Sequence, residues 1–560
     1  MQTRVTRRQA LWTLAATATA TGAAAEPGTA PPTVDARLVA SNDAALDKLL
    51  RAQITDPASP HRGGVPDEYL MFAAGSAGGL IETATASLIA SRIDQSAPEL
   101  IERIRLAAGF LERSQSPEGN IDLLSTNFNS PPDTGFVVHN VGTAAALAKM
   151  YGVEEVVRIL RPFLVKAGAA MATGGIHTPN HRWVVSSALA QVNDVYPDPA
   201  YLRRIEQWLA EGIDIDDDGQ FIERSTVTYN TVIDRAFTVL AAKLKRPALL
   251  DPVRRNLHAM LYLIHPDGEV VTEVSKRQDQ FVRGTMAGYW FPLQYLAIHQ
   301  NDRQLASLAR NLAPAHARLS AMLEYPELAG PLPEAAPLPE DYEKWFGVLG
   351  LAHIRRGRWD ATMVARDSSR FFSARNGAAV INAVRFASSF FGKGQFVPAS
   401  GVKDGDHYVF RQSLEAPYYQ PLTPPRAVTY QNWGTASKER RQTQICRLEQ
   451  SATVTERKGG FDLRLESKGT PGVPVAVEIS LREGGTLEGC RAAPHADSAF
   501  LLEKGFAAYR MGADSIRFGP GDAPHLLTQL RGADPKLPGT SVYITGYTPF
   551  DRTVRFEFEG

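Results

Sequence analysis

The chain has 560 residues, which at about 150 residues per domain predicts roughly two to four domains. Its 60 Lys and Arg residues balance 60 Asp and Glu residues, so it lacks the basic excess of a general nucleic-acid binder. A hydrophobic content of 44% excludes a mainly disordered chain. Two cysteines, Cys446 and Cys490, are too few for a disulfide scaffold, although they could pair in an oxidising compartment.

The N-terminus has the pattern of an export signal. Arg7 and Arg8 precede an apolar, alanine-rich run from Ala10 to about Ala25. The paired arginines resemble a Tat signal, and an ordinary Sec signal with a chance arginine pair is the alternative. The run is too short and too rich in Ala and Thr for a membrane span, and the sequence has no other run of spanning length. We therefore predict a Tat-type signal over residues 1–30 and a periplasmic or secreted mature protein.

Residues 31–324 carry a helical pattern. Apolar residues recur at helical spacing over 100–111, 156–164, 202–209, 232–244 and 305–319. Short polar or Gly/Pro loops separate roughly ten to twelve such segments. Antiparallel helix pairs over this length suit an (α/α) toroid, although periodicity alone does not separate a toroid from other helical arrays.

The pattern changes after a proline-rich segment. We assign residues 325–360, which contain GPLPEAAPLPED, to a linker and a last helix. Beyond 361, short alternating runs such as FDLRL (461–465) and VRFEF (554–558) are separated by Gly, Asp and Pro. Many short strands favour a β-sandwich over 361–560. The predicted fold class is α+β and multidomain, with an N-terminal (α/α) toroid followed by an antiparallel β-sandwich domain.

Two segments of the helical part concentrate reactive side chains. Residues 174–183 read GGIHTPNHRW at a loop-to-helix junction, where Asn180 could instead cap the helix and His181 could be a core or surface residue. Residues 214–230 read DIDDDGQFIERSTVTYN. Their acidic start resembles an EF-hand loop, but Ser225 stands where the closing Glu is needed, which leaves a looser calcium site or a plain acidic turn.

Together these segments resemble the heparinase II/III-like and alginate lyase-like polysaccharide lyases. The resemblance rests on Asn-His at a helix start, followed by Asp-Gly-x-x-x-Glu-x-Ser-x-x-x-Tyr at 218–229, and on the order of the two domains. It implies that Asn180 binds the substrate carboxyl group, that His181 helps to neutralise it or acts as base, and that Tyr229 is the catalytic tyrosine. Family members often carry Pro and His where this chain has Thr226 and Asn230, which leaves subfamily and substrate open.

Members of this family also use a histidine from the β domain. The resemblance makes His407 the candidate for this fourth catalytic residue, with His495 and His525 as other choices.

The chemistry of such a lyase agrees with these residue types. Removing the proton α to a carboxylate requires donors that neutralise the carboxylate, a base, and an acid for the leaving oxygen. A tyrosine can serve as both base and acid if neighbouring cations stabilise its phenolate. Arg277 is one available cation. The predicted substrate-binding residues are Trp183, Arg224, Arg235, Arg283, Tyr289 and Trp290.

These substrate-binding assignments have alternatives. Each arginine could belong to a solvated face or a structural ion pair, and Tyr289 and Trp290 could pack in the core. Tyr289 is also a rival for the catalytic tyrosine. Residues 127–140 form another polar helix start that could be a cleft wall. The sequence contains no P-loop, GxGxxG after a strand, HExxH or CxxC motif, which argues against nucleotide cofactors and the common zinc hydrolases.

We therefore predict a polysaccharide lyase that cleaves a uronate-containing glycan by β-elimination. Its partner would be an acidic polysaccharide and not a nucleic acid, and no cofactor is required, although a structural Ca²⁺ or Zn²⁺ is possible. One alternative is a glycoside hydrolase on the same toroid, which needs a carboxylate pair. The other is a glycan-binding protein without catalysis. Candidates for the hydrolase pair are Asp133, Asp218, Glu223 and Asp234.

Overall fold

A computed structural model describes residues 31–90, 97–494 and 496–559. The export signal predicted over residues 1–30 and the candidate His495 lie outside the described residues. Helices fill the first part of the described chain and strands the second, so the predicted α+β class is confirmed. Within the described residues, no helix combines the length and the apolar character needed to cross a membrane.

The helical domain consists of helices joined by loops and one short hairpin. The helices are α1 (Ala36–Ala52), α2 (Ala74–Ala90), α3 (Ala97–Ser114), α4 (Pro131–Met150), α5 (Glu154–Thr173), α6 (Asn180–Val195), α7 (Pro199–Ala210), α8 (Tyr229–Lys243), α9 (Asp251–Met260), α10 (Trp290–Gln300), α11 (Arg303–His316) and α12 (Leu319–Glu324). The hairpin pairs β1 (Ile121–Leu123) with β2 (Asn127–Ser130).

The even-numbered helices α2 to α10 form an inner layer and the odd-numbered helices return outside it. Nearly every residue of α6 is buried, whereas α7 buries only Tyr201 and Ile205. Neighbouring inner helices run parallel, as the contacts between α4 and α6 show, because residues further along α4 contact residues further along α6. His139 bonds Ser187 at 2.8 Å, and one turn later Gln191 donates to Thr143 at 3.0 Å. The inner helices therefore begin at one end of the domain.

The two ends of the helical domain differ in loop length. Long loops precede the inner helices at 53–73, 115–130, 211–228 and 261–289, whereas turns such as 151–153, 196–198 and 301–302 close the opposite end. Long loops on a rigid scaffold are where binding and catalytic residues concentrate. The end at which the inner helices begin is therefore the end at which a site is expected.

The second domain consists of strands and one short helix. The strands are β3 (Asp341–Phe346), β4 (Leu351–Arg356), β5 (Trp359–Val364), β6 (Phe372–Asn376), β7 (Ala379–Ser388), β8 (Ser400–Asp404), β9 (His407–Tyr419), β10 (Gln442–Arg457), β11 (Gly460–Gly469), β12 (Pro474–Leu481), β13 (Thr486–Glu488), β14 (Arg491–Ala492), β15 (Ala499–Leu501), β16 (Ala507–Met511), β17 (Asp514–Gly519), β18 (Ser541–Tyr547) and β19 (Phe550–Glu559). The helix is α13 (Trp433–Lys438).

The strands of the second domain form two sheets packed face to face. A nine-stranded sheet has the order β14-β15-β18-β12-β7-β6-β5-β4-β3, and an eight-stranded sheet has the order β13-β16-β17-β19-β11-β10-β9-β8. Apolar side chains from both sheets share one buried cluster, as in a β-sandwich. Neighbouring strands are antiparallel, except that β15 pairs parallel with β18. Cys446 and Cys490 are both free thiols.

The sheet begins earlier than the sequence indicated. The first strand starts at Asp341, not near 361, and strands β3 to β5 occupy the place of the expected last helix. The reason is burial on both faces of β4 and β5. Leu351 and Val364 pack against the helical core, whereas Ala352 and Ile354 pack inside the sandwich. Because residues on both faces of these strands are buried, no exposed polar face marks the period of two, and periodicity does not identify them as strands.

An ionic cluster joins the two domains. Glu269, in the loop before α10, accepts hydrogen bonds from Arg375 at 2.7 Å and from Arg482 at 2.8 Å, both in the β domain. Arg283 donates to the other oxygen at 2.5 Å. The carboxylate is largely buried, so these cations supply the polar partners that it needs.

The Glu269 cluster predicts acid sensitivity. Burial alone would raise the pKa of Glu269, but hydrogen bonds from Arg482, Arg375 and Arg283 lower this pKa to about 2. The cluster therefore stabilises the fold above pH 4.5, and that contribution is lost as the pH falls from 4.5 towards 2. After discounting for solvent screening we expect ~1–2 kcal/mol. Unfolding free energies of wild type and Glu269→Gln should converge over this range, whereas exposed Glu112→Gln should follow wild type at every pH.

Candidate active site

Four side chains meet where α6 and α8 begin. One carboxylate oxygen of Glu223 accepts from the backbone N–H of Asn180 at 2.8 Å and from its side-chain amide at 2.6 Å. The other oxygen accepts from Arg277 at 2.5 Å. Arg277 in turn donates to the hydroxyl of Tyr229 at 3.3 Å. The structure thus brings Asn180 and Tyr229 into one hydrogen-bonded network through two loop residues.

The Tyr229 hydroxyl has two donors. Gln278 donates to it at 3.1 Å, in addition to Arg277, whose guanidinium carbon lies 4.4 Å from the ring centroid. The ring is half-buried, so its oxygen remains reachable. Donors and a cation at this oxygen stabilise negative charge on it. The Tyr229 hydroxyl therefore combines two hydrogen-bond donors and a neighbouring cation.

The motif at 218–229 also explains how α8 begins. The Ser225 hydroxyl accepts from the backbone N–H of Tyr229 at 3.0 Å and donates to Asp279 at 3.0 Å. The second oxygen of Asp279 accepts from the backbone of Val227 at 3.0 Å. This network ties the loop before α8 to the loop before α10. It therefore fixes the position of Tyr229 relative to Arg277.

Asn180 does not face solvent. It is fully buried, and its amide donates to Glu223 and, at 3.4 Å, to Thr178. The predicted direct contact between Asn180 and a substrate carboxylate is therefore not the arrangement seen here. In this structure Asn180 donates a hydrogen bond to Glu223, and Glu223 accepts another from Arg277.

His181 lies beside this network and is uncharged near neutral pH. It is 6% exposed and packs edge-on against His177 and Phe136. Burial, followed by the charge of His177, lowers its pKa to about 4, and Arg277 adds to this effect. Its Nδ1 has no hydrogen-bond partner among the residues that the structure describes. A neutral imidazole can accept a proton or donate one hydrogen bond, but it does not supply positive charge.

The lowered pKa of His181 predicts a pH effect on stability. The unfolded histidine binds a proton below pH 6.5, whereas the folded one does so only near pH 4, so the stability contribution is lost as the pH falls between these values. With solvent screening we expect ~2 kcal/mol. The unfolding free energy of His181→Gln should fall less than that of wild type from pH 7 to 4. The exposed control His407→Gln should keep the wild-type slope, and equal slopes in all three proteins would contradict the prediction.

The aromatic residues predicted to stack on sugar are mostly core residues. Trp183 is fully buried, and its indole N–H donates to Asp214 at 3.0 Å. Tyr289 is also fully buried, and its hydroxyl donates to the Thr226 carbonyl at 2.5 Å. The predicted role of Trp183 and Tyr289 in sugar binding is therefore wrong. Both residues lie near the start of an inner helix, and their rings are buried in the helical domain. This burial also removes Tyr289 as a rival to Tyr229.

The predicted arginines and Trp290 are dispersed. Arg224 donates to the Val348 carbonyl of the β domain at 3.2 Å. Arg283 is 73% exposed and pairs with Glu269. Arg235 and Trp290 line a cavity inside the toroid.

The histidines of the β domain lie apart from the network at Tyr229. His407 begins β9 and bonds the Thr455 hydroxyl at 2.8 Å, which places it in the eight-stranded sheet. His525 is buried and bonds the carbonyls of Val475 and Gly546. Neither has a hydrogen bond to Tyr229, His181 or Arg277 within the described residues, so the role predicted for a histidine of the β domain stays a prediction.

The acidic segment before α8 forms a structural turn. Asp214 pairs with Arg182 at 2.7 Å, and Asp216 accepts from the backbone of Gln220 at 2.9 Å. Asp218 accepts from the backbone of Val348 and Leu349 at 2.7 and 2.8 Å, which fastens the β domain to the toroid. These carboxylates do not converge on one point. The plain acidic turn is therefore the alternative that the structure supports.

A different set of side chains could hold a metal. Ligand atoms of His265, His353 and Asp360 lie within 4.8 Å of one another at the domain boundary, and all three residues are buried. Nδ1 of His353 lies 2.8 Å from the Tyr262 carbonyl, so it must carry the proton of that hydrogen bond. Nε2 of His353 then has a lone pair, and it lies 3.3 Å from Asp360. Two imidazoles and a carboxylate suit Zn²⁺ by donor type, and the same set also suits a protonated His–Asp pair.

Three side chains of the network were not assigned a site role from sequence. Glu223 was considered only as a hydrolase carboxylate, Arg277 only as one cation among several, and Gln278 not at all. The position of Glu223 inside the 218–229 motif was a usable signal for it. Nothing in the sequence indicates that the loop containing Arg277 and Gln278 folds back onto Tyr229.

No protein-family model and no curated protein matches this chain. Solved structures match its fold. A Streptomyces coelicolor A3 chondroitin AC lyase in complex with chondroitin sulphate is 15% identical, with a TM-score of 0.54 over 94% of this chain and 79% of that chain. Heparinase III is 13% identical, with a TM-score of 0.53 over 96% and 85%. A Paenibacillus xanthan lyase is 10% identical, with a TM-score of 0.58 over 94% of this chain and 57% of that chain.

These similarities confirm the predicted fold, that of polysaccharide lyases with a helical toroid and a β-sandwich. At such low identity they show the fold alone, so the reaction has to be argued from the site.

Proposed function

We propose that the protein is a polysaccharide lyase that cleaves a uronate-containing glycan by β-elimination. The observation that carries the proposal is the tyrosine hydroxyl held by two donors at the loop-rich end of the toroid, in a network that includes Asn180, the residue before the uncharged His181. This arrangement offers a proton donor and a cation within one network, and the proton acceptor is His181, which follows Asn180 in the chain. The polysaccharide lyase fold agrees with it.

The side chains of the site share the steps of the proposed reaction. Arg277, and a hydrogen bond from His181 where its tautomer allows, oppose the charge of the substrate carboxylate and stabilise the enolate-like transition state. A base removes the proton α to the carboxylate, and the electron pair forms the C=C bond as the glycosidic C–O bond breaks. Tyr229 donates its proton to the departing oxygen, and Arg277 and Gln278 stabilise the resulting phenolate. We assign the role of base to neutral His181, which follows Asn180 in the chain, and Asn180 positions Arg277 through Glu223.

An absorbance assay tests the reaction directly. The purified protein would be incubated with alginate, glucuronan, hyaluronan, chondroitin sulfate and heparan sulfate, and ultraviolet absorbance would be followed. Elimination creates a C=C bond conjugated to the carboxylate, which absorbs, whereas hydrolysis does not create it. We expect absorbance to rise with one class of polymer. New reducing ends without absorbance would contradict the lyase and indicate hydrolysis.

The structure does not favour the glycoside hydrolase. Both oxygens of Glu223 are engaged by Asn180 and Arg277. Asp133 bonds Asn127 at 2.9 Å and also contacts Ser130, and Asp234 is fully buried. Hydrolysis needs an acid and a base, or an acid and a nucleophile, on opposite sides of the bond. No such free carboxylate pair faces the network among the described residues.

We also propose that the protein acts outside the cytoplasm on an acidic polysaccharide. Support for this location comes from Arg7 and Arg8 before an alanine-rich run. An epitope-tagged chain should be recovered outside the cytoplasm, and Arg7→Lys with Arg8→Lys should retain it inside if the signal is of the Tat type.

A further inference from the structure

The connection between β9 and β10 is longer than the pairing of these strands requires. Tyr419 and Gln442 lie opposite each other in the sheet, and about two to five residues are enough to join such neighbours. Here 22 residues lie between them, and most of their side chains are exposed. Connections of this length in a compact domain commonly carry a function. We call residues 418–441 the 418–441 segment.

Large aromatic side chains are exposed together at this segment. Within the described residues eight such side chains are exposed, and five of them are Phe391, Tyr418, Tyr419, Tyr430 and Trp433. Tyr430 is 96% exposed and Trp433 is 59% exposed. The ring centroid of Phe391 lies 5.8 Å from that of Tyr418. Exposed apolar residues that occur in a group, and not singly, mark an interaction surface.

The same segment carries an excess of positive charge. It contains four basic residues and a single acidic residue, Glu439, which is paired with Arg426. Lys438, Arg440 and Arg441 have no carboxylate within ion-pair distance in the part of the chain that the structure describes. Because the whole chain has no net charge, this excess is local. The surface is therefore complementary to an anionic partner.

Trp433 and Arg440 combine an aromatic face with a cation. The guanidinium carbon of Arg440 lies 5.3 Å from the ring centroid of Trp433, and its Nη1 donates to the Gln420 carbonyl at 3.2 Å. A sugar ring packs its apolar C–H face on an exposed aromatic ring, and arginine binds carboxylate or sulfate groups. An acidic sugar offers both features in one residue.

The segment keeps its shape without help from the helical domain. The backbone N–H of Gln420 donates to the Arg441 carbonyl at 2.9 Å, which closes the base of the segment. Pro421, Pro424 and Pro425 fix their own φ angles. Among the described residues, no hydrogen bond or ion pair joins the segment to the toroid. Its exposed rings therefore do not fasten the domains, and little conformational freedom is lost when they bind a partner.

We propose that the 418–441 segment is a non-catalytic surface that binds an acidic polysaccharide. Tyr430 and Trp433 stack on sugar rings, and the unpaired cations beside them bind the acidic groups. The choice of a glycan rests on the proposed function. A second copy of this chain is a poorer partner, because a symmetric contact would bring two positively charged segments together.

Retention in native gels that contain alginate, hyaluronan or chondroitin sulfate tests this surface, with dextran as the uncharged probe. The Tyr229→Phe background keeps the polymer in the gel intact. We expect retention by an acidic polymer and not by dextran. Adding Trp433→Ala should weaken binding about threefold to tenfold, because one stacking ring is lost. Adding Lys438→Gln with Arg441→Gln should weaken it similarly at low salt and less at high salt.

Two matched controls lie outside the segment. Lys458 is exposed in the turn after β10, at the other end of this strand from Gln442, which is roughly 50 Å along the strand. Tyr547 is an exposed aromatic residue of the same domain, and its ring contacts His525. Lys458→Gln and Tyr547→Ala should keep the retention of the background protein.

The same measurements separate this surface from folding, association and catalysis. The melting temperature should be unchanged in every variant, because the replaced side chains are exposed. Retention that neither Trp433→Ala nor the paired charge variant weakens would overturn the surface. A dimer that Trp433→Ala dissociates would assign the segment to a second copy and would also overturn it. Weakened retention in the variants, when wild type forms no elimination product, would support the surface and contradict the lyase.

Discussion

Tyr229→Phe should lower the rate of formation of the ultraviolet-absorbing product by about 10³-fold or more. The substitution removes only the phenolic oxygen, which is the group placed to protonate the leaving oxygen, and proton transfer of this kind typically contributes ~10²–10⁴-fold. The additional loss comes from Arg277 and Gln278, which retain donors that no longer have an acceptor. Initial rates on the best polymer of the panel would measure the effect.

The exposed Tyr547 of β18 provides the control for this variant. Tyr547→Phe should keep the wild-type rate, and Tyr229→Phe should keep the wild-type affinity for polymer. A Tyr229→Phe protein that still produces absorbance at more than a tenth of the wild-type rate would mean that another group protonates the leaving oxygen.

Glu223→Gln should reduce turnover by about 10²-fold and also lower the free energy of unfolding by roughly 3 kcal/mol. Glu223 is almost fully buried and is the carboxylate that pairs with Arg277. Glutamine has the shape of glutamate but no charge. Its amide N–H would face Asn180 or Arg277, which are themselves donors. Arg277 then loses its partner, so its position against the Tyr229 hydroxyl is no longer fixed.

Two measurements separate positioning from stability in the Glu223 variant. Because part of the proposed role acts through Arg277 on Tyr229, adding Glu223→Gln to Tyr229→Phe should cause a smaller further loss of rate than Glu223→Gln causes in wild type. Denaturant unfolding should show the stability loss in both backgrounds. Exposed Glu112→Gln should change neither quantity, and fully multiplicative rate losses in the double variant would contradict a shared path.

The parts of the fold that were predictable are those with a strong local pattern. Apolar residues at helical spacing located the helices of the toroid. Polar residues at helix starts, such as Asn180 of α6, helped to mark where the inner helices begin. Alternation located the half-exposed strands β11 and β19. It failed at β4 and β5, because these strands are buried on both faces and even their polar residues His353, Asp360 and Thr362 do not face solvent.

The site was predictable only where one segment contains the signal. Asn180, His181 and Tyr229 lie in short motifs, and the structure places them together. Arg277 comes from a long loop whose path depends on tertiary contacts such as that between Ser225 and Asp279. Burial was the other property that the sequence concealed, because Trp183 and Tyr289 differ from binding aromatics only in the direction that their rings face.

The common direction of the inner helices has an electrostatic consequence. Each helix start carries a partial positive charge of about half a unit from its backbone N–H groups, so α2, α4, α6, α8 and α10 together direct positive potential at the loop-rich end. This potential is local, since the chain as a whole has no net charge. An anionic polymer would therefore be held at short range without long-range steering, and its affinity should depend less on ionic strength than that of a strongly basic protein.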